Sequence, residues 1–433
     1  MSLHERDERL EAALLEAARK RLAEPPELGS TMRERPAPAV TPGGLGAERA
    51  AALLLDVVMP AAIQIDHPRY FAFIPAAPAP AAALADVLLA VNAIYGGSWI
   101  EATGVVHAEN EALAWLASLA GFPDTAGGCF VQGGTNGNLS ALHAAREQAR
   151  HAGKEATHVA CHAEVHSSVR SMARIMDAEV LPIPGDRLTG EALEEVLHPG
   201  VFAVVATAGT TNVGTIDDLV GVAAVCADHD VWLHVDGAYG LGALCAPSAR
   251  PRFAGLERAD SFIVDPHKWL FSPFDSCALV YRDPSLGRAA HRQHASYLEG
   301  LYADDDAFNP SDYGVHLTRR ARGLPLWFAL AVHGTDAFAQ AVERTLETAR
   351  EAAAEIGRRP ELELVVEPEL TVLAFRRLGW APADYERWAE GLRASGTAFL
   401  MPTTVDGETV GRLAIVNPRT TVDDVKVVLD AAR

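Results

Sequence analysis

The chain has 433 residues, of which 49% are hydrophobic and 22% charged, a globular balance that can fill a sizeable core in one dominant domain with smaller appendages. A formal net charge of −20 argues against a nucleic-acid partner, because phosphate backbones need clustered cations. Cys129, Cys161, Cys226, Cys245 and Cys277 are widely spaced with no CxxC pair, so neither a disulfide framework nor a metal site is expected.

The start, MSLHERDERL, is charged throughout and has no apolar signal core. No stretch is long enough in apolar residues to span a membrane, so a cytoplasmic protein with no membrane partner is expected. Residues 5–24 read as an amphipathic helix with Leu10, Leu14, Leu15 and Ala18 on one face. A Pro/Gly-rich linker occupies 25–46, and a second helix is expected over 47–59. HPRYFAFIPAAPAP mixes aromatics with prolines and reads as an ordered loop. Helices are expected over 80–94 and 106–120.

From CFVQ onward the pattern changes. Apolar strands (CFVQ, THVACH, AEVLPIP, FAVVATAG, VWLHVDG, SFIVDPH, CALVYR) alternate with helices such as LSALHAAREQAR and HSSVRSMARIM. That alternation predicts an α/β domain around a mostly parallel sheet flanked by helices. Residues 296–318 are acidic and lack periodicity, and a long loop of this kind in a compact domain is more often functional than accidental. A helix over 318–332 follows. ELELVV, TVLAFRR and GRLAIVNP then alternate with helices as a smaller α+β domain. The expected division is an N-terminal helical segment (1–95), a large domain (96–332) and a small C-terminal domain (333–433).

Five segments carry chemistry. In SFIVDPHKWLF, Lys268 follows an apolar strand, where a lysine is costly unless neutral or paired; one solution is an imine with an aldehyde cofactor. A snorkelling surface lysine fits the segment as well. In VWLHVDGAYG, Asp236 ends an apolar strand, either to pair with a protonated pyridine nitrogen or to cap the next helix. QGGTNGNL places Gly134 and Thr135 before a helix N-terminus, a phosphate site or an ordinary strand-to-helix turn. His166 starts a helix, where it can stack on a flat ligand or simply cap the helix. Thr207 and Thr210 cluster at the end of another strand, as site residues or turn formers. Each alternative stands alone, but coincidence does not readily explain all five at strand ends.

HPRYFAFIP, GSW, QGGTNGNL, HSSV, ATAGTT, HVDGAYG, DPHKW and RRARGLPLWF occur in an order that resembles the group II pyridoxal-phosphate-dependent amino-acid decarboxylases. The resemblance runs from about His67 to Trp327 and more loosely to the C-terminus. It implies the aspartate aminotransferase type I fold, pyridoxal 5'-phosphate as cofactor and a homodimer with shared active sites. Lys268 would carry the cofactor as an internal imine, Asp236 would pair with its ring nitrogen, and His166 and Ala238 would cover opposite ring faces. Gly134 and Thr135 would hold the phosphate with help from Ser261 and His267. Thr207 would sit near the ring hydroxyl, and Thr318 would reach the phosphate of the neighbouring subunit.

Tyr297 matches the family's loop tyrosine that returns a proton to Cα, which favours simple decarboxylation to amine and CO2; an aromatic loop anchor is the plainer alternative. Related aldehyde synthases carry phenylalanine there. Ile65, Ile74, Tyr95 and Gly97 depart from the animal aromatic enzymes around the substrate side chain. Asp265 stands where those enzymes have asparagine near the phosphate. The expected reaction is decarboxylation of an L-amino acid, with aromatic substrates first. Oxidative deamination, transamination and a non-catalytic relative are the competing readings.

Overall fold

The computed structural model describes residues 5–32, 35–75, 77–293, 295–296, 298 and 307–432. Tyr297 lies outside the described residues.

Seven strands form the central sheet: β1 (Gly127–Val131), β2 (His158–His162), β3 (Glu179–Ile183), β4 (Val201–Thr207), β5 (Trp232–Asp236), β6 (Ser261–Val264) and β7 (Cys277–Tyr281). Their order is β1-β7-β6-β5-β4-β2-β3. All neighbouring pairs are parallel except those of β7, which is antiparallel to both β1 and β6. The expected mostly parallel sheet is therefore present.

Both faces of the sheet are covered, which is why the strands read as apolar runs rather than as alternating ones. On β4, Val204 and Ala206 pack on one face and Ala203 and Val205 on the other. The helices Trp99–Leu119 and Leu219–His229 cover the first face through Leu113, Leu116, Val222 and Cys226. The helices Gly134–His151 and Ser167–Ile175 cover the second through Ala141, Leu142, Val169 and Met172. All five cysteines are free and buried, behaving as small core hydrophobes.

The C-terminal part carries an antiparallel sheet in the order β10-β11-β9-β8, made of β8 (Leu362–Leu364), β9 (Val372–Arg377), β10 (Thr403–Val405) and β11 (Glu408–Ala414). It packs on the helices Thr335–Gly357, Pro382–Ala394 and Val422–Asp430 around Phe375, Trp388 and Leu413. The HPRYF segment docks onto this part: Phe71 N donates to Phe399 O at 2.7 Å, and Ala414 N to Phe71 O at 3.0 Å. That docking fixes the loop that later forms one wall of the site.

Three boundaries differ from the sequence expectation. The glycine-rich run is not a turn before a helix, because Gly134 is already the first helical residue. The helix expected at 106 begins at Trp99 and bends at Ala102. The helix expected at Thr318 begins only at Leu324, with Pro325 in its first turn. Strand β10 was not expected; Asp406 and Gly407 both adopt positive φ and close a two-residue hairpin onto β11.

The stretch before the helix Leu324–His333 is held by a buried ion pair. Arg319 donates through two nitrogens to Glu109 at 2.7 and 2.8 Å and to Phe130 O at 3.1 Å, while Gly323 N donates to Glu109 at 2.7 Å. Residues 307–318, the second half of the acidic segment, are tied down as well. Trp99 N donates to Asn309 Oδ1 at 2.9 Å, Ser311 N to Gly97 O at 3.1 Å, and Val315 N to Ser140 Oγ at 3.0 Å.

Candidate active site

Parallel neighbours bring strand ends to a common edge, and there the chain leaves the sheet. Register pairs Thr207 of β4 with Asp236 of β5, and Asp236 with Ile263 of β6. Lys268 follows β6 in the short helix Pro266–Trp269. Val131 of β1 leads into Gly133 and Gly134 at the same edge. These residues surround a cavity of about 570 Å³, a size suited to a cofactor and small substrate. Gly134, Thr135, His166, Thr207, Asp236, Ala238, His267 and Lys268 all line it.

The charge arrangement is specific. Lys268 Nζ lies 2.9 Å from Asp265 Oδ2, and His267 Nε2 lies 3.7 Å from the same oxygen. Burial alone would lower the Lys268 ammonium, but the Asp265 carboxylate outweighs it and holds Lys268 above its ordinary value. Burial would raise Asp265; Lys268 and His267 overcome that and keep it below its ordinary value. Burial pushes the His267 imidazole down, against the pull of Asp265.

The helix Gly134–His151 begins without a side-chain cap, so its first N–H groups and the positive end of its dipole are available to an anion. A Cβ added at Gly134 would come within 3.2 Å of Ala238 Cβ and 3.4 Å of Asp265 Oδ2. Only glycine keeps that floor low. His166 is both a helix cap and a cavity residue. It caps the helix Ser167–Ile175, accepting from Ser168 N at 3.2 Å with Nδ1, and it lines the cavity.

Two expected residues stand elsewhere. Ser261 does not line the cavity. It opens β6, at the end away from Lys268, and its hydroxyl engages Trp232 Nε1 at 2.9 Å and His234 Nδ1 at 2.8 Å, so direct phosphate binding by Ser261 is corrected. Thr318 is exposed and outside the cavity of its own chain. Thr210 turns inward instead, accepting from Thr215 N at 3.0 Å.

The structure also adds residues that the motifs did not single out. Asn138, one helical turn beyond Gly134, is buried and donates to Asp236 Oδ2 at 2.9 Å and to Ser168 Oγ at 3.0 Å. Asparagine is a poor helix former, so its presence inside a helix is the available signal that it has a partner. Arg412 of β11 donates to Thr211 O at 3.0 and 2.7 Å and to Phe73 O at 2.7 Å, both cavity residues. Burial lowers Arg412 to about 10, partly opposed by Tyr239.

Pyridoxal 5'-phosphate fits this donor set. An amine, a strand-end carboxylate and an uncapped helix N-terminus face one cavity. Two buried polar atoms there, Thr207 Oγ1 and Asp265 Oδ1, have no hydrogen-bond partner within the chain, and orphaned buried groups of this kind call for a ligand. Fold and site together define a pyridoxal-phosphate enzyme of the aspartate aminotransferase type.

The pyridoxal-dependent decarboxylase conserved domain matches residues 51–378, and the chain belongs to that family. It is 34% identical over 405 residues to the L-2,4-diaminobutyrate decarboxylase of Rhizobium meliloti, covering 88% of this chain and 81% of that one. It is 30% identical over 380 residues to the aromatic-L-amino-acid decarboxylase of Bacillus atrophaeus, covering 83% and 79%. The crystal structure of Oryza sativa TDC with PLP and tryptamine superposes with a TM-score of 0.88 at 23% identity, covering 100% of this chain and 99% of that one. The protein is a pyridoxal-phosphate-dependent carboxy-lyase acting on an amino acid.

Proposed function

We propose that the substrate is an L-amino acid with an aromatic side chain, converted to its amine and CO2. The observation that carries this reading is the apolar part of the cavity lining. Ile65, Tyr70, Phe73, Ile74 and Pro75 form it, an apolar surface matched to a flat ring. A second reading has one observation behind it. Asp275 also lines the cavity, with its side chain 39% exposed and one oxygen 3.0 Å from Arg322 Nε, so it offers a partner to a short basic side chain.

Bound pyridoxal 5'-phosphate supplies an electron sink for the pair released from the Cα–carboxylate bond. Lys268 would hold the cofactor covalently, Asp236 would accept from its ring nitrogen, and His166 and Ala238 would pack against its ring. Gly134 and Thr135 would bind its phosphate, with His267 alongside, and Thr207 would offer its unsatisfied hydroxyl to the ring. Tyr297 would return a proton to Cα, which would direct the product to amine rather than aldehyde.

The active unit is a homodimer. Leu84, Leu88 and Val91 of the helix Pro80–Asn92, with Ile100, are 50%, 62%, 76% and 72% exposed, and a contiguous apolar face of this kind is costly in water. Thr318 then acts on the partner's site. Among the described residues no helix is long and apolar enough to cross a membrane, and the free buried cysteines are in keeping with the reducing cytoplasm.

Purified protein loaded with cofactor and offered single amino acids, with products identified by mass, tests the substrate. Aromatic amines are expected. Amine from diaminobutyrate alone, abolished by Asp275→Asn, selects the second reading, and no amine from any substrate rejects both. Tyr297→Phe is expected to raise aldehyde and ammonia relative to amine. Leu88→Glu is expected to shift the sedimenting species from dimer to monomer.

A further inference from the structure

Behind Asp236 the structure holds a line of buried polar side chains. Trp232 Nε1 donates to Ser261 Oγ at 2.9 Å. Ser261 Oγ lies 2.8 Å from His234 Nδ1, and His234 Nε2 lies 2.9 Å from Asn138 Oδ1. Asn138 Nδ2 then donates to Asp236 Oδ2 at 2.9 Å. His234 and Ser261 are 0% exposed and Asn138 is 1% exposed.

The direction of donation follows from the chemistry of the ends. The Asp236 carboxylate only accepts, so Asn138 turns its NH2 group toward Asp236 and its Oδ1 toward His234. An amide oxygen also only accepts, so the neutral His234 ring carries its proton on Nε2 and donates to Asn138 Oδ1, which leaves Nδ1 to accept from the Ser261 hydroxyl. An indole nitrogen only donates, so Ser261 Oγ accepts in turn from Trp232. The second Asn138 N–H reaches Ser168 Oγ at 3.0 Å, and Ser168 Oγ lies 2.8 Å from His166 Nδ1. Asp236 Oδ1 is held separately by Ala238 N at 3.2 Å.

We propose that Trp232, Ser261, His234 and Asn138 are positioning residues, a one-way hydrogen-bond relay that fixes Asp236 as the acceptor for the cofactor's ring nitrogen and links it through Ser168 to His166. The inference rests on the assignment of Asp236 to that nitrogen. It gives Ser261 a role separated from Asp236 by two residues, His234 and Asn138, in place of a direct one. The relay acts by presenting donors to the carboxylate from inside the core, where a hydrogen bond is stronger than in water. A missing donor leaves a buried acceptor unsatisfied, which is worth roughly 10-fold or more in an equilibrium.

The test uses the full chain with cofactor labelled with 15N at the ring nitrogen, and 15N-histidine labelling in the same protein. Asp236→Asn is expected to move the ring-nitrogen resonance to the unprotonated range. Asn138→Leu is expected to move it in the same direction and to weaken cofactor binding about 10-fold. Ser261→Ala, which deletes one hydroxyl, and Trp232→Phe, which deletes the indole N–H, are expected to move it less. The histidine signal lost in His234→Gln is expected to report a neutral ring protonated at Nε2. If Asp236→Asn shifts the resonance while Asn138→Leu and Ser261→Ala leave it unchanged, the relay is overturned and the assignment of Asp236 survives. A His234 ring protonated at Nδ1 overturns the direction of the relay. A resonance indifferent to Asp236→Asn overturns the assignment itself. Ser261→Ala and Trp232→Phe keep the question answerable if Asn138→Leu does not fold.

Discussion

Lowering the pH from 7 to 5 is expected to remove about 4 kcal/mol of folding stability, well before the surface carboxylates titrate. Burial holds His234, His291 and His316 near 4 against an ordinary value of 6.5. These folded values are depressed, so the unfolded chain takes up protons first. Their stability is full above 6.5 and is lost as the pH falls towards 4. By pH 5 each histidine has lost nearly 2 kcal/mol, at about 1.4 kcal/mol per pKa unit. Asp217 works the other way: burial raises it to about 6 despite two backbone N–H donors, and its protonation in the folded state returns about 1 kcal/mol by pH 5. His67 and His267 shift in the same direction as the three histidines, and Asp86 and Asp260 oppose them. A net loss of about 4 kcal/mol is a large share of the stability of an ordinary domain.

Equilibrium urea unfolding followed by tryptophan fluorescence, at fixed protein concentration and several pH values, measures this loss. His316→Gln isolates one contributor, because His316 Nδ1 has no partner and Nε2 lies 3.3 Å from Pro310 O, so little else is removed. The variant is expected to shrink the drop between pH 7 and 5 by nearly 2 kcal/mol. A flat stability over that range, or a variant with the wild-type slope, refutes the reasoning.

Removing one side of the buried Arg319–Glu109 pair, as in Glu109→Leu, strands the guanidinium among carbonyls and is expected to destabilise the fold by about 3–5 kcal/mol; a denaturation midpoint within error of wild type contradicts this. Asp265→Asn removes the carboxylate that keeps Lys268 protonated, so covalent attachment of the cofactor, followed by absorbance, should proceed faster at neutral pH. Unchanged loading kinetics would show that the pair does not control the amine. Gly134→Val fills the floor beside Ala238 and Asp265 and is expected to weaken cofactor affinity by roughly tenfold or more, about 1.4 kcal/mol, as read by fluorescence titration.

Local pattern was enough to order the strands and to mark their ends, because a buried parallel strand needs an unbroken apolar run and the polar residue that ends it stands out. Lys268, Asp236, Thr207 and the Gly134–Thr135 pair were legible for that reason, and the structure brings them to one cavity. His166 was legible only as two alternatives, of which the structure shows the helix cap, with the residue also in the cavity lining. Ser261 was placed at the phosphate by the family resemblance alone; pairing of β6 with β5 sets it against His234 instead. Arg412 was invisible, and Asn138 carried only the signal of an asparagine inside a helix, because their partners lie 201 and 98 residues away in the chain. Composition, strand order along the chain and the chemistry at strand ends are properties of short segments, and the sequence by itself determined them. Which ends meet, which way each hydrogen bond runs and what lies behind Asp236 depend on contacts between distant segments, and only the tertiary structure decided those.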